Sequence, residues 1–170
     1  CRAWVHYMVA IVYAQNYSYT AGASHLGVVY NTATIIAGED YPSRETLAES
    51  YRLMKEDMER ALRLFGDSQA LSYGPDYSWF NATNASALLA RMALQMHDWE
   101  TAYALADSLI QFSGISLMDS SEYVVAWEQP EDPVSEIIFE LSAPRESDEG
   151  SVSSSVAYDY FGYVNETNYN

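Results

Sequence analysis

Tyr73, Tyr77 and Trp79 fall in one short segment, with Asp76 and Asn81 beside them. Tyrosine and tryptophan rings combine a flat apolar face with a polar edge, so two of them in one loop form a platform on which the C–H face of a sugar can stack. The neighbouring carboxylate and amide would then bond hydroxyls. Tyr123 and Trp127, next to Glu128 and Gln129, make a second candidate platform. The competing role for either set is to seal its own loop onto adjacent helices. Fifteen Tyr and four Trp supply these rings, many of them outside helical patterns. Trp4 and Trp99, in contrast, lie within apolar helical patterns and are read as core.

Catalytic chemistry has no comparable basis. Cys1 is the only cysteine and has no base near it, no G-x-S-x-G turn or glycine-rich phosphate loop occurs, and carboxylates this abundant form chance pairs. No catalytic residue is assigned, and the chain is not read as an enzyme. His6, His25 and His97 are scattered, which suits core or turn histidines better than a metal site. Glu131, Asp132, Glu136 and Glu140 carry oxygen ligands but lack the spacing and central glycine of a calcium loop, so they read as a solvated edge. No metal and no cofactor is expected. N-x-S/T triplets begin at Asn16, Asn81, Asn84 and Asn165; Asn84 is read as a helix cap.

Charge narrows the partners. The formal net charge is −16, and after Arg91 the only basic residue is Arg145. Such a surface repels phosphate backbones and anionic headgroups, which disfavours nucleic acid and direct electrostatic membrane binding. His6 and Gln15 interrupt the most apolar stretch, so no run reaches the roughly 18 residues of a membrane span. A lone cysteine excludes a disulfide framework and a cysteine zinc site. Cys1 could be the lipidated residue of a mature lipoprotein, but RAWVHYMVAIVYA after it is helical in character instead of a polar tether. The favoured reading places Cys1 inside a helix that began upstream, in a piece of a longer protein.

Helices must position the aromatic loops. Ala3 to Ala14 is apolar on nearly every side and predicts an enclosed helix. Thr46 and Glu49 predict a capping box, followed by a stripe of Leu47, Tyr51, Met54, Met58, Ala61 and Phe65, with Gly66 as a left-handed stop. Pairs such as Glu56 to Arg60 and Glu59 to Arg63 would lace the outer face. ASALLARMALQM and WETAYALADSLIQF, joined at His97 and Asp98, predict a tight helical hairpin. Its small residues Ala87, Ala90, Ala93, Ala102, Ala104 and Ala106 sit where helices approach, with Leu88, Leu89, Met92, Leu105, Leu109 and Ile110 filling around them. Ile115 to Met118 and EIIFEL, Glu136 to Leu141, are strand candidates. The fold class is therefore mainly α, an array of tetratricopeptide-like hairpins with long aromatic-rich loops and one or two short strands in the last third.

The hairpin resembles a tetratricopeptide repeat, with Ala90 and Ala102 at its small positions, though His97 replaces the usual Gly and the closing Pro is absent. A wider pattern adds to it: the RAW-type helix running into a Tyr-rich stretch, Pro42-Ser43-Arg44, the T-x-x-E-x-Y helix, DMERAL from Asp57 to Leu62, the Asn-Ala lead before ALLARMAL, HDWETA, and EIIFEL. In that order they resemble the SusD/RagB family of Bacteroidetes nutrient-binding lipoproteins. The resemblance implies a non-catalytic protein of the bacterial outer membrane and cell surface. It implies capture of glycans for a SusC-like TonB-dependent transporter and a lipid anchor that this chain does not contain. Residues 1–141 would be a partial SusD-like helical region lacking the family N-terminus. Residues 142–170 would be a polar segment, loop or partly disordered, leading into a missing C-terminal region. The resemblance fixes no ligand residues, so Tyr123, Trp127, Tyr73, Tyr77 and Trp79 rest on their chemistry alone. The rival reading is a helical-repeat module that binds a protein or peptide segment.

Overall fold

The computed structural model describes residues 1–67, 79–128 and 136–139, without the side chains of 67, 127 and 128. The chain divides into two units, Cys1–Phe139 and Glu140–Asn170, and the described residues lie in the first. Among the described residues five helices run in order: α1 (Arg2–Tyr13), α2 (Leu47–Asp67), α3 (Ala82–Gln95), α4 (Trp99–Phe112) and α5 (Tyr123–Glu128), with 3-10 turns at Tyr17–Tyr19 and Ala21–Ala23. α1 packs on α2, α2 on α3, and α3 on α4. This is the expected helical array.

α2 carries the core because its apolar residues recur every three or four positions, which gathers them on one side. Leu47, Tyr51, Met54 and Met58 are buried, Met54 completely, and Leu62 and Phe65 pack partly against them. From α1 come Ala3, Tyr7 and Ala10, and from α3 Ala85, Leu88, Leu89 and Met92. Tyr7 and Tyr17 both meet the Tyr51 ring edge-on, with centroids 6.1 and 5.3 Å away. Burial among these phenols pushes Tyr51 up to about 12.

The start of α2 is pinned by a polar knot. The chain leading to α2 pairs with an earlier stretch through an antiparallel bridge, Leu26 to Thr46, made by Gly27 N–H to Glu45 O and Leu47 N–H to His25 O, both 2.8 Å. The buried Ser50 hydroxyl accepts from Val28 N–H at 3.1 Å and donates to Thr46 O at 3.0 Å. Half of the predicted capping box forms: Thr46 Oγ1 accepts from Glu49 N–H at 3.2 Å. The Glu49 carboxylate turns outward to Arg52, at 2.6 and 2.7 Å, since a bidentate guanidinium partner is the stronger bond. Arg52 also takes Glu56, the residue expected to pair with Arg60. Gly66 does not stop the helix; it lacks a positive φ, and α2 continues to Asp67.

A second clamp joins α1 to α2. Arg2 Nε and Nη2 each bond Asp57 at 2.6 Å, and the Tyr30 hydroxyl donates to the same carboxylate. The Arg2 guanidinium holds Asp57 below the usual carboxylate range despite its partial burial.

The hairpin turn closes as the sequence suggested. Asp98 N–H bonds Ala93 O at 2.9 Å and His97 N–H bonds Leu94 O at 3.2 Å, the paired bonds of a Schellman ending. His97 takes the left-handed position at φ 60°, the place where the repeat carries Gly, and its ring stacks on Trp99 at 5.2 Å. Asp98 then caps α4 by accepting from Thr101 N–H.

Several expectations differ from the structure. Among the described residues α1 is not enclosed: Val5, Met8, Ile11, Val12 and Tyr13 are exposed, because its neighbours are confined to the α2-facing side and the Trp4–Phe139 contact. Trp99 is 61% exposed and not core, and Ala104, Ala106 and Ile110 also face outward. α4 touches α3 through Ala102 and Leu105, so its remaining sides are uncovered in this unit. Neither strand candidate forms among the described residues. Ile115 to Met118 is irregular, and 136–139 is a turn and bend. A strand needs a neighbouring ladder, and here the polar groups of 136–139 are bonded otherwise: Ile138 O accepts from the Asn84 amide, and the Glu136 carboxylate from Met118 N–H. Its apolar side chains instead join an aromatic row, with Phe139 edge-on to Trp4 and to Phe80, and Phe80 against Phe65.

Two glycines test this packing in opposite directions. A Cβ on Gly27 would lie 2.8 Å from Leu47 Cα and 2.8 Å from Thr46 O, backbone atoms that cannot step aside. A Cβ on Gly66 meets nothing within 4 Å. Denaturant unfolding should show Gly27→Ala destabilised by about 1–3 kcal/mol and Gly66→Ala stabilised by roughly 0.5–1 kcal/mol. Equal effects would contradict the knot at the α2 start.

Candidate functional site

The ground on which Trp79 stands is built by two asparagines. Asn81 is the N-cap of α3; its Oδ1 accepts from Thr83 N–H at 2.9 Å and from Asn84 N–H at 3.1 Å. Asn84 Oδ1 returns the bond to Asn81 N–H, which completes a capping box in which Asn stands in for the usual acid. The expected cap at Asn84 is thus corrected to Asn81, three residues earlier, with Asn84 as its buried reciprocal partner. Asn81 Oδ1 is committed to the helix start, so the hydroxyl-binding role foreseen for it loses that atom.

Asn84 does a second task. Its Nδ2 donates to Trp79 O at 2.9 Å and to Ile138 O at 3.4 Å, tying the lead into α3 to the 136–139 segment. A buried amide with both ends bonded is costly to displace. From this fixed backbone Phe80 turns inward to the aromatic row, while Trp79 turns outward and is 45% exposed. One dipeptide therefore supplies a core ring and a surface ring.

Of the other candidates, Tyr73 and Tyr77 lie outside the described residues, as does Asp76. Tyr123 opens α5 and is 52% exposed. Trp127 occupies the same short helix one turn later; its side chain lies outside the description. The helix itself was not foreseen. An Asx turn leads into it, with Asp119 Oδ1 accepting from Ser121 N–H at 2.9 Å and from the Ser121 hydroxyl at 2.8 Å, bonds that hold the Asp119 carboxyl below its usual range. Just upstream, Met118 N–H reaches the Glu136 carboxylate at 3.2 Å. The 136–139 segment is thus bonded to both stretches that carry candidate rings, the Trp79 lead through Ile138 and the Tyr123 approach through Glu136.

Two cavities are lined by described residues. One, of about 520 Å³, is lined by Trp4, Met8, Phe80, Leu88, Arg91 and Phe139 among others. Arg91 is its cation and also reaches the Tyr7 hydroxyl, opposing the burial that raises that phenol. The other, about 410 Å³ and open, is formed by Tyr30 to Ile35 with Asp40, Tyr41 and Pro42. Tyr41 is 84% exposed there, its hydroxyl donating to Gly38 O. Among the described residues no three His, Cys, Asp or Glu side chains gather closely enough to hold a metal. No helix among them is long and apolar enough to cross a membrane.

No protein-family model matches the chain, and no curated protein matches it. Solved structures do. A SusD superfamily protein from Bacteroides thetaiotaomicron is 29% identical with a TM-score of 0.73, over 88% of this chain and 31% of its own. A SusD superfamily protein from Bacteroides vulgatus is also 29% identical, with a TM-score of 0.61, over 74% of this chain and 27% of its own. The chain is SusD-like, in agreement with the resemblance read from its residues. It spans about a third of the length of the structures it matches.

Replacing either asparagine should separate its roles. Asn81→Ala is expected to cost about 1 kcal/mol, the usual value of a helix cap. Asn84→Ala should cost more, about 2–3 kcal/mol, because it also strands buried backbone partners. Chemical denaturation of both variants checks this; a milder effect at Asn84 than at Asn81 would contradict its linking role.

Proposed function

We propose that this chain is part of a non-catalytic, cell-surface protein that binds oligosaccharide or polysaccharide and passes it to a SusC-like TonB-dependent transporter. In this reading the protein is a lipoprotein of the bacterial outer membrane, held to the bilayer by a lipid anchor. The observation that carries the proposal is the likeness to SusD superfamily structures over 88% of the chain at 29% identity. The chemistry of the aromatic candidates supports it. Trp79 is part-exposed on a backbone whose carbonyl Asn84 holds, and a residue whose backbone is fixed before ligand arrives loses less freedom on binding. Sugar faces would stack on Trp79, Tyr123 and Trp127, with Tyr73 and Tyr77 as further candidates, while side-chain hydrogen bonds orient the hydroxyls. The strong negative charge disfavours nucleic acid as a ligand.

A helical-repeat module that grips a peptide is the second reading. It is favoured by the outward apolar residues of α4, Trp99, Tyr103, Ile110 and Phe112.

Titration calorimetry of the full-length protein against an oligosaccharide panel distinguishes the two. Binding to at least one member is expected, and Trp79→Ala or Trp127→Ala should weaken it by about tenfold if that ring is a principal contact. Absence of binding to every glycan by the folded protein would overturn the carbohydrate assignment. Unchanged affinity in both variants would remove the proposed platforms.

A further inference from the structure

His6 is held by contacts that fix its protonation. Its Nδ1 lies 2.9 Å from Arg2 O, and a carbonyl oxygen can only accept, so Nδ1 carries the proton. Its Nε2 lies 3.1 Å from Asn31 N, and a backbone N–H can only donate, so Nε2 must present a lone pair. Both contacts demand the same neutral tautomer. His25 is built differently. Its Nε2 faces Gln15 O at 3.4 Å, but its Nδ1 faces the Thr20 hydroxyl at 2.8 Å, a group that can donate or accept. A second proton on His25 leaves both contacts workable; a second proton on His6 sets two donors against each other.

The surroundings sharpen this. The His6 ring lies against Tyr30 at 4.3 Å, and the Arg2 guanidinium stands 5.8 Å from the centre of the same Tyr30 ring. An imidazolium would therefore form beside a fixed cation. Among the described residues, the Asp57 carboxylate on α2 is engaged by Arg2 and the Tyr30 hydroxyl, with Arg60 adding positive charge near it. Beyond Asn31, Arg2 Nη1 reaches Thr32 O at a long 3.4 Å. The following bonds are internal to the segment: Ile36 N–H to Asp40, Asp40 N–H to Ile36 O, and the Tyr41 hydroxyl to Gly38 O. The Asn31 bond to His6 is thus the last close tether before a stretch that bonds chiefly to itself.

We propose that His6 is a pH-sensitive latch on residues 31–42. Neutral, it anchors their first backbone N–H to α1; doubly protonated, it releases that anchor and loosens the wall of the open cavity formed by Tyr30 to Pro42. This device does not depend on the ligand proposed above.

Residue-resolved hydrogen exchange on the full-length protein tests the latch, with rates corrected for the intrinsic effect of pH. Protection of the Asn31 amide should fall by about tenfold between about pH 7.5 and 5.5, while the Gly27 amide, bonded to Glu45 O, keeps its protection. In His6→Gln the pH dependence at Asn31 should vanish. Asn31 protection that tracks Gly27 at both pH values overturns the proposal, as does a pH dependence that survives in His6→Gln. The wild-type comparison decides alone if the variant does not fold.

Discussion

The apolar stripe of α2 has to satisfy two neighbours at once. Leu47, Tyr51, Met54 and Met58 form one side of a single helix, yet Tyr51 meets Tyr7 of α1 while the same core takes in Leu88, Leu89 and Met92 of α3. Among the described helices α1 has α2 as its main partner, whereas α3 also packs on α4. Remove the stripe and α1 keeps the part-exposed Arg2–Asp57 clamp, the His6 bond to Asn31 and the Trp4 contact with Phe139, weak substitutes for buried area. The frame that carries the exposed rings therefore rests on hydrophobic burial at α2, and the polar contacts set register on top of it.

Those polar contacts share a pattern. Among the described residues Ser50 and Asn84 are the buried polar ones, and each uses its side chain to join stretches far apart in sequence. Ser50 fixes Val28 to the start of α2, and Asn84 fixes both Trp79 and Ile138 to the start of α3. Placing an unpaired polar group in the core would be costly, so each such residue specifies which backbone must arrive there. For Asn84 the consequence reaches the surface, because the backbone it holds is that of Trp79.

The helices were legible because their signals are local. The α2 stripe repeats every three to four residues, and the His97-Asp98 turn is bounded by two amphipathic segments; both survive intact in the structure. Terminal details were less legible, since competing partners decide them: Glu49 prefers Arg52 to its capping role, and Gly66 stays helical with nothing to force a turn. The EIIFEL segment reads as a strand by composition, but a strand is defined by a neighbour, and the bonds of this one run to Asn84 and Met118. Trp99 reads as core from its helix pattern, yet burial depends on what lies against α4. Of the site, Trp79 and Tyr123 are part-exposed, a property that depends on what packs beside them and not on their residue type. The role of Asn84 was half visible in the Asn81 and Asn84 spacing, which allows a reciprocal cap; its bond to Ile138 spans too much sequence to be inferred.

The most direct measurement is native-state hydrogen exchange on the full-length protein carrying Met54→Ala, a change at a fully buried position of the stripe. If α2 is the shared support, the loss of about 2–4 kcal/mol should appear as a matching drop in protection across α1, α2 and α3 together. Protection lost in α2 alone, with α1 and α3 unaffected, would contradict the account.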